Sequence, residues 1–533
     1  MQWFNAVAEK LLERVGAQVI ETGTSISGVP HIGNASDVIR GDAIRKALDE
    51  ENAEVDFIWI ADDSDPFRRV PGKIHSTTKY LDEVSQNPFR NTPDVNDLGD
   101  YLGYPVKDIP DPLGCHQGFV QHYVEPFLSN LDEFGVRPKA YSATELYKKN
   151  AFEKEIKEVF NKSDEVTRIL NRFRKKPLPE DSIYWSPICE SCGKIATTRP
   201  TELNGLRVSY VCEDTTLSGR KVKGCGFEGE SDIRKGEGKL PWRIEWAVRW
   251  KHFKVTCEPL GKEHASAGGS YWTSKIISAE ILGWEPPLPV IYEFFTLNGE
   301  KISSSKGNVI TLRDWLRICE PEVLKYFMYK RLKKQRDIKL SSLPNLVDEY
   351  DKAERIFFGL EEGAEKEKQL YAMSQIKKPR LLQVPFTLCA VLSQVLGELD
   401  SDEAVNRIKR AGYSGFDVKR LMRRLHVAGE WAESCGPDNL RFNLVGDEQA
   451  EKNKKKLSPD ERKVLLEIAH ELDDNPSAET LHKRIYEISR EHQIKPSEVF
   501  RDIYQVLIGK NRGPKAAFFL LSLDVDFVKK RFR

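Results

Sequence analysis

The sequence predicts an α/β fold, a doubly wound parallel sheet interrupted by a long insertion and followed by α-helical C-terminal domains. Three observations carry this. An apolar stretch, Ala17 to Ile20, precedes a turn at Pro30-His31-Ile32-Gly33-Asn34, after which Val38, Ile39, Ala43, Ile44, Ala47 and Leu48 recur at helical spacing. A second apolar run, Val55 to Ala61, ends in Asp62-Asp63, so the opening reads strand, helix, strand, with polar residues gathered where strands end. Beyond Asn308 the pattern turns helical. Leu312 to Leu332 has helical spacing, and helix starts follow at Ser458-Pro459-Asp460-Glu461, a capping box with Pro at the first helical position, at Asn475-Pro476 and at Lys495-Pro496-Ser497-Glu498, with Gly509 as a stop.

At 533 residues the chain is too long for one core. The opening unit and the stretch from His264 to Asn308 must share one sheet, which makes 1–70 and 236–320 two halves of one domain. Residues 71–235 are then an insertion, with a cysteine-bearing subdomain around 185–230. A helical linker domain at 321–390 and a helical domain at 391–533 complete the expected organisation.

Two short segments bear the chemistry. Pro30-His31-Ile32-Gly33-Asn34 lies at a strand-to-helix turn, where unpaired N–H groups and the helix dipole favour phosphate. Lys301-Ile302-Ser303-Ser304-Ser305-Lys306-Gly307-Asn308 is a serine-rich loop with a lysine near each end, suited to closing over a triphosphate. Together they read as one ATP site, with His31, Asn34, Lys301 and Lys306 as the catalytic candidates and Pro30, Gly33, Ser303 and Ser305 as further ATP-binding positions. Gly33 is expected to leave room for adenine on the backbone.

Both segments resemble the two signature motifs of class I aminoacyl-tRNA synthetases. The resemblance is strongest to the class I lysyl-tRNA synthetases, through Thr22-Gly23-Thr24-Ser25-Ile26-Ser27-Gly28, Gly261-Lys262-Glu263-His264-Ala265-Ser266, Gly268-Gly269-Ser270-Tyr271 and Tyr292-Glu293-Phe294-Phe295. It covers most of residues 17 to 320. Asn34 stands where the class usually has a second histidine, and Ser304 where it usually has a lysine. The resemblance implies a Rossmann-type catalytic domain, ATP with magnesium, activation of lysine as an adenylate and its transfer to a lysine tRNA. It implies an insertion that approaches the acceptor end, a linker that contacts the tRNA stem and a helical domain that binds the anticodon.

Substrate choice follows from charge. Ten residues before His31 stands Glu21, where the related glutamyl enzymes carry an arginine. A carboxylate suits a substrate with a terminal ammonium. Gly23, Ser25, Trp242, His264, Tyr271 and Tyr292 complete the candidate lysine pocket, with aromatic walls for the methylenes. Asp62 and Asp63 are candidates for the α-amino group. A glutamyl-type ligase is the alternative, and a nucleotidyltransferase, which shares the first motif but is usually shorter, is the more distant one.

The nine cysteines are an odd number, and Met1 to Val15 reads as an amphipathic helix rather than a secretory leader. A reducing cytoplasm is expected, and cysteine pairs are read as metal ligands before disulfides. Cys189-x-x-Cys192, Cys212 and Cys225 form a candidate structural zinc site. Cys115, His116 and His122 form a candidate second site if Asp97, Asp100 or Asp111 joins them. No apolar run reaches membrane-spanning length, and no obligate protein partner is evident.

Basic and acidic residues balance at 82 each, so any RNA surface must be local. The candidate runs are Lys330-Arg331 with Lys333, Lys334 and Arg336; Lys377-Lys378-Pro379-Arg380; Lys419-Arg420 with Arg423-Arg424; Lys454-Lys455-Lys456; and Lys529 to Arg533. Trp431 and Phe442 are candidate exposed aromatics for stacking on unpaired bases.

Overall fold

Helix α1 (Trp3–Leu12), strand β1 (Gln18–Ser25), helix α2 (Ala35–Glu50) and strand β2 (Val55–Asp62) open the chain in the computed structural model, which describes residues 1–71, 97–111, 114–302, 309–397, 400–474 and 476–533. Phe4, Ala8 and Leu11 form the buried stripe of α1, and Val38, Ile39, Ala43, Ile44, Ala47 and Leu48 are buried on α2. The chain divides into two compact units. The first comprises Met1–Asp314 and Met328–Ile338, the second Trp315–Phe327 and Lys339–Arg533.

In the first unit β1 and β2 are joined by β3 (Lys139–Ser142), β4 (Cys257–Gly261) and β5 (Leu288–Tyr292), in the order β5-β4-β1-β2-β3. Every pairing is parallel. The chain runs outward from β1 to β3, then returns to the other side of β1 for β4 and β5. The gap between β1 and β4 is therefore a topological switch point, where an open parallel sheet leaves a crevice at its strand ends. Helix α3 (Trp242–Phe253) precedes β4. Its residues Ile244 to Trp250 are all buried, and it stops at Lys254, which takes the left-handed conformation at φ 57°.

The insertion folds partly on its own. Strands Thr198–Asn204, Arg207–Cys212 and Glu228–Asp232 make an antiparallel sheet, and Thr215–Leu217 with Arg220–Val222 a hairpin. One continuous core joins Val19 and Ile58 of the sheet to Trp246 and Trp250 of α3 and to Val208 and Ile233 of the insertion.

The second unit is helical, with a core that includes Leu465, Ile468, Leu481, Ile485, Ile503 and Leu507. The capping box at Ser458 and Glu461 forms as its sequence predicts. Leu312 to Leu332 is not one helix: it breaks into Leu312–Ile318 and Pro321–Tyr329, because Pro321 lacks an N–H to continue the ladder. Several sequence expectations are corrected here. Trp431 is fully buried and its indole donates to the Leu340 carbonyl, while Phe442 packs on Phe519 in the core, so neither is a stacking platform. Arg424 is buried between Glu320 (3.1 Å) and Asp351 (2.7 Å), and Arg420 pairs with Glu354. Arg420 and Arg424 thus compensate buried acids, while Lys419 and Arg423 of the same run are exposed. Lys454, Lys529 and Lys530 pair with the exposed acids Glu451, Asp473 and Asp447, and Lys530 is itself exposed.

Candidate active site

The first motif is anchored from the far end of the second. The Ile32 N–H donates to the Ile310 carbonyl at 2.9 Å, just beyond the serine-rich loop. This one bond brings segments nearly a domain apart in sequence to the same crevice. A cavity of about 1220 Å³ opens there, lined by His31, Gly33 and Asn34 on one side and by Lys301 and Ile302 on another. Ser303, Ser305 and Lys306 lie outside the described residues.

The motif is shaped by its own hydrogen bonds. Asn34 is the N-cap of α2, and its Oδ1 accepts the His31 N–H at 3.0 Å. The His31 Nδ1 accepts the Gly33 N–H at 3.0 Å, so the neutral ring carries its proton on Nε2 as a donor. Gly33 has an immediate reason: a Cβ there would meet the His31 ring at 2.6 Å. Burial lowers the His31 pKa to about 4. Pro30 is buried and is not part of the cavity wall, whereas Lys301 stands at the rim, 3.8 Å from Glu263.

Glu21, Gly23, Ser25, Trp242, His264 and Tyr292 all line the same cavity. Glu21 is 2 % exposed, and its Oε2 has no hydrogen-bond partner. Burial, opposed by Arg249 and reinforced by Asp62 and Glu245, pushes its pKa up to about 8. Trp242 stacks on Trp246 (5.0 Å, 23°), and Trp246 meets the His264 ring edge-on at 5.4 Å. Tyr292 is covered by the Arg40 guanidinium, 4.3 Å from the ring centre. Tyr271 stands outside the cavity wall: it is 2 % exposed, its hydroxyl donates to the Pro287 carbonyl, and its ring packs on Trp250 at 5.7 Å. Asp62 and Asp63 part company. Asp62 lines the cavity and pairs with Arg249 at 2.7 Å, whereas Asp63 turns away to accept the Thr144 N–H at 2.8 Å and fixes the segment after β3.

Three groups went unseen in the sequence. Glu258 on β4 accepts indole N–H groups from Trp246 and Trp250 and lines the cavity. Arg249 bridges Asp62 and Glu245, and Lys239 bridges Asp65 and Glu245. The signal was the spacing in α3: Trp242, Trp246 and Trp250 form one i, i+4 stripe, and Glu245 with Arg249 another.

The insertion supplies Ser186, Thr198 and Thr216 to Ser218 to the cavity wall. Within it the four sulfurs of Cys189, Cys192, Cys212 and Cys225 lie within 4.8 Å of one another, with Cys189–Cys225 at 3.6 Å and Cys192–Cys212 at 3.7 Å. A tetrahedron of thiolates at the usual zinc distance has edges of about 3.8 Å. The Thr197 hydroxyl lies 3.2 Å from the Cys212 sulfur, and the Cys225 N–H points at it from 3.4 Å.

A second group comprises Asp111, Cys115, His116 and His122. The Cys115 sulfur lies 3.1 Å from the His116 Nδ1 and 3.2 Å from the His122 Nδ1, and Asp111 approaches the His122 Nδ1 at 3.2 Å. Asp100, exposed on the short helix Asp97–Tyr101, is not part of this group, and the Asp97 side chain lies outside what is described. The acid is Asp111, whose carboxylate accepts the Cys115 and His116 N–H groups at 2.6 and 2.5 Å.

Residues 1–377 match the family model described as tRNA synthetases class I (K). Over their full lengths, the chain is 34% identical to the lysine–tRNA ligase of Methanosphaera stadtmanae, covering 100% of this chain and 99% of that one. The lysine–tRNA ligases of Pyrococcus horikoshii and Archaeoglobus fulgidus are each also 34% identical at the same coverage.

The depressed His31 pKa has a testable sign. The unfolded chain takes up this proton near pH 6.5 and the folded one only near 4, so stability is lost as pH falls through that window and the ring stays neutral at working pH. NMR titration of the His31 ring is expected to show a midpoint near pH 4; a midpoint near 6.5 contradicts this.

Proposed function

The chain belongs to the class I (K) tRNA synthetases, and from that membership we propose that it is a lysine–tRNA ligase, which activates lysine with ATP and transfers it to the 3′ end of a lysine tRNA. The observation that carries the specificity is the buried Glu21, with an unpartnered oxygen, in the cavity shared with His31 and Lys301.

Adenylate formation needs no nucleophile from the protein. The lysine carboxylate attacks the α-phosphate and pyrophosphate departs, so the catalytic work is positioning and charge stabilisation. The His31 Nε2–H, held by the Gly33 N–H on the other ring nitrogen, donates to phosphate oxygens at the start of α2. Lys301 and, from the serine-rich loop, Lys306 supply positive charge to the leaving pyrophosphate, which magnesium accompanies. Trp242, His264 and Tyr292 enclose the methylenes, and Asp62 is left to the α-ammonium.

Glutamate is disfavoured by the same floor. Beside Glu21, Arg249 is already committed to Asp62 and Glu245, so an acidic side chain placed there meets carboxylates. The work is expected in the cytoplasm, consistent with nine free thiols.

The donor sets fit two structural zinc ions. Cys189, Cys192, Cys212 and Cys225 would hold one and tie together the loops that carry the cavity's far wall. Asp111, Cys115, His116 and His122 would hold the other.

Lysine-dependent exchange of labelled pyrophosphate into ATP, with tRNA present, tests the reading. Exchange with lysine and none with glutamate is expected, His31→Ala is expected to lower kcat about one hundredfold or more, and Glu21→Arg to abolish lysine activation while sparing ATP binding. Exchange with glutamate alone refutes the assignment. Metal analysis of purified protein is expected to give two zinc ions per chain, falling to one in Cys192→Ser; absence of zinc from the unaltered chain removes both sites.

A further inference from the structure

Glu21 and Glu258 face the same crevice from neighbouring strands. The register of β1 against β4 pairs Ile20 with Cys257, so the next residues along the two parallel strands are these two glutamates, side by side on one face. Both are buried, at 2 % and 6 % exposure, and both line the cavity. The two cations of the floor are otherwise engaged: Arg249 is paired with Asp62 and Glu245, and Lys239 with Asp65 and Glu245. Among the described residues neither Glu21 nor Glu258 has an ion-pair partner.

The two acids are held differently. Each Glu258 oxygen accepts one indole N–H, from Trp246 at 2.8 Å and from Trp250, and these rings are braced in turn by Trp242, His264 and Tyr271. Glu21 keeps one oxygen without a partner. Adjacent buried carboxylates cannot both ionise unless a cation joins them. A fixed carboxylate beside one with a free oxygen is the arrangement a primary ammonium fits, since its three donors can divide between two acceptors.

We propose that Glu258 is a second specificity-determining carboxylate for the substrate side chain, so that the ε-ammonium of lysine seats between Glu21 and Glu258 at a depth set by the Trp246–Trp250 indole pair. This rests on the lysine–tRNA ligase reading and adds to it a residue and a length rule. A chain one methylene shorter leaves its ammonium short of the fixed acid.

Glu258→Gln keeps the shape and removes the charge. In pyrophosphate exchange, its KM for lysine is expected to rise about tenfold or more, with the KM for ATP within about twofold of the unaltered protein. The neutral isostere 6-hydroxynorleucine, used as a competitive inhibitor, separates charge reading from packing. Its inhibition constant is expected to stay nearly constant while that of lysine worsens. Equal weakening of both ligands, or an unchanged lysine KM, overturns the proposal. Should Glu258→Gln not fold, Trp250→Phe removes one indole donor and leaves the acid: a lysine KM raised several-fold with the isostere unaffected supports the proposal, and an unchanged lysine KM overturns it. Failure of the unaltered protein to activate lysine with tRNA present instead sinks the ligase reading itself.

Discussion

An excess of buried acid over buried base holds this site in place. The buried Glu21, Asp62, Glu245 and Glu258, with the half-buried Asp65, gather around Arg249 and Lys239 at the switch point of a parallel sheet, two cations against four buried carboxyl groups and one half-buried one. Removing charge from water costs several kcal/mol per ion unless partners compensate. Arg249 shows the balance from the cation's side: burial works against its charge, and Glu245 and Asp62 hold it firmly protonated. Glu258 shows it from the acid's side: burial first, then the charge of Glu21, drive its pKa far above the usual carboxylate range. A ligand that brings one positive charge to this floor relieves its imbalance, and a ligand that brings a negative one worsens it.

Other elements of the first unit hold that floor's neighbours in place. The tryptophan stripe of α3 walls the cavity and at the same time donates hydrogen bonds to its floor. The topology sets the charged floor beside the start of α2: the helix begins directly after the first motif, and the Ile32–Ile310 bond ties the segment after the serine-rich loop to it. One cavity therefore offers an acidic recess and a helix N-terminus, and a molecule with an ammonium at one end and phosphates at the other spans both.

Much of this was legible in the sequence because local signals and global fold agree. The strand, turn and helix around His31, the second strand ending at Asp62, and the four cysteines each announce themselves by spacing. What stayed hidden depends on burial, which residue type alone does not disclose. Glu258 reads as an ordinary strand residue until Ile20 is known to pair with Cys257. Tyr271 reads as a pocket wall and Trp431 as an exposed stacking aromatic, yet each spends its polar atom on a backbone carbonyl inside the protein. Within the basic run at Lys419 to Arg424, Arg420 and Arg424 prove to be charge compensation for Glu320, Glu354 and Asp351, while Lys419 and Arg423 are exposed. Charge runs disclose their partners only in three dimensions.

The most direct test is a crystal structure with a non-hydrolysable lysyl-adenylate analogue. The account predicts the analogue's side-chain ammonium within about 3 Å of the Glu21 carboxylate and its phosphate-mimicking group beside the His31 Nε2. An analogue bound with its side chain directed away from the floor between β1 and β4, or bound on another surface, would contradict it.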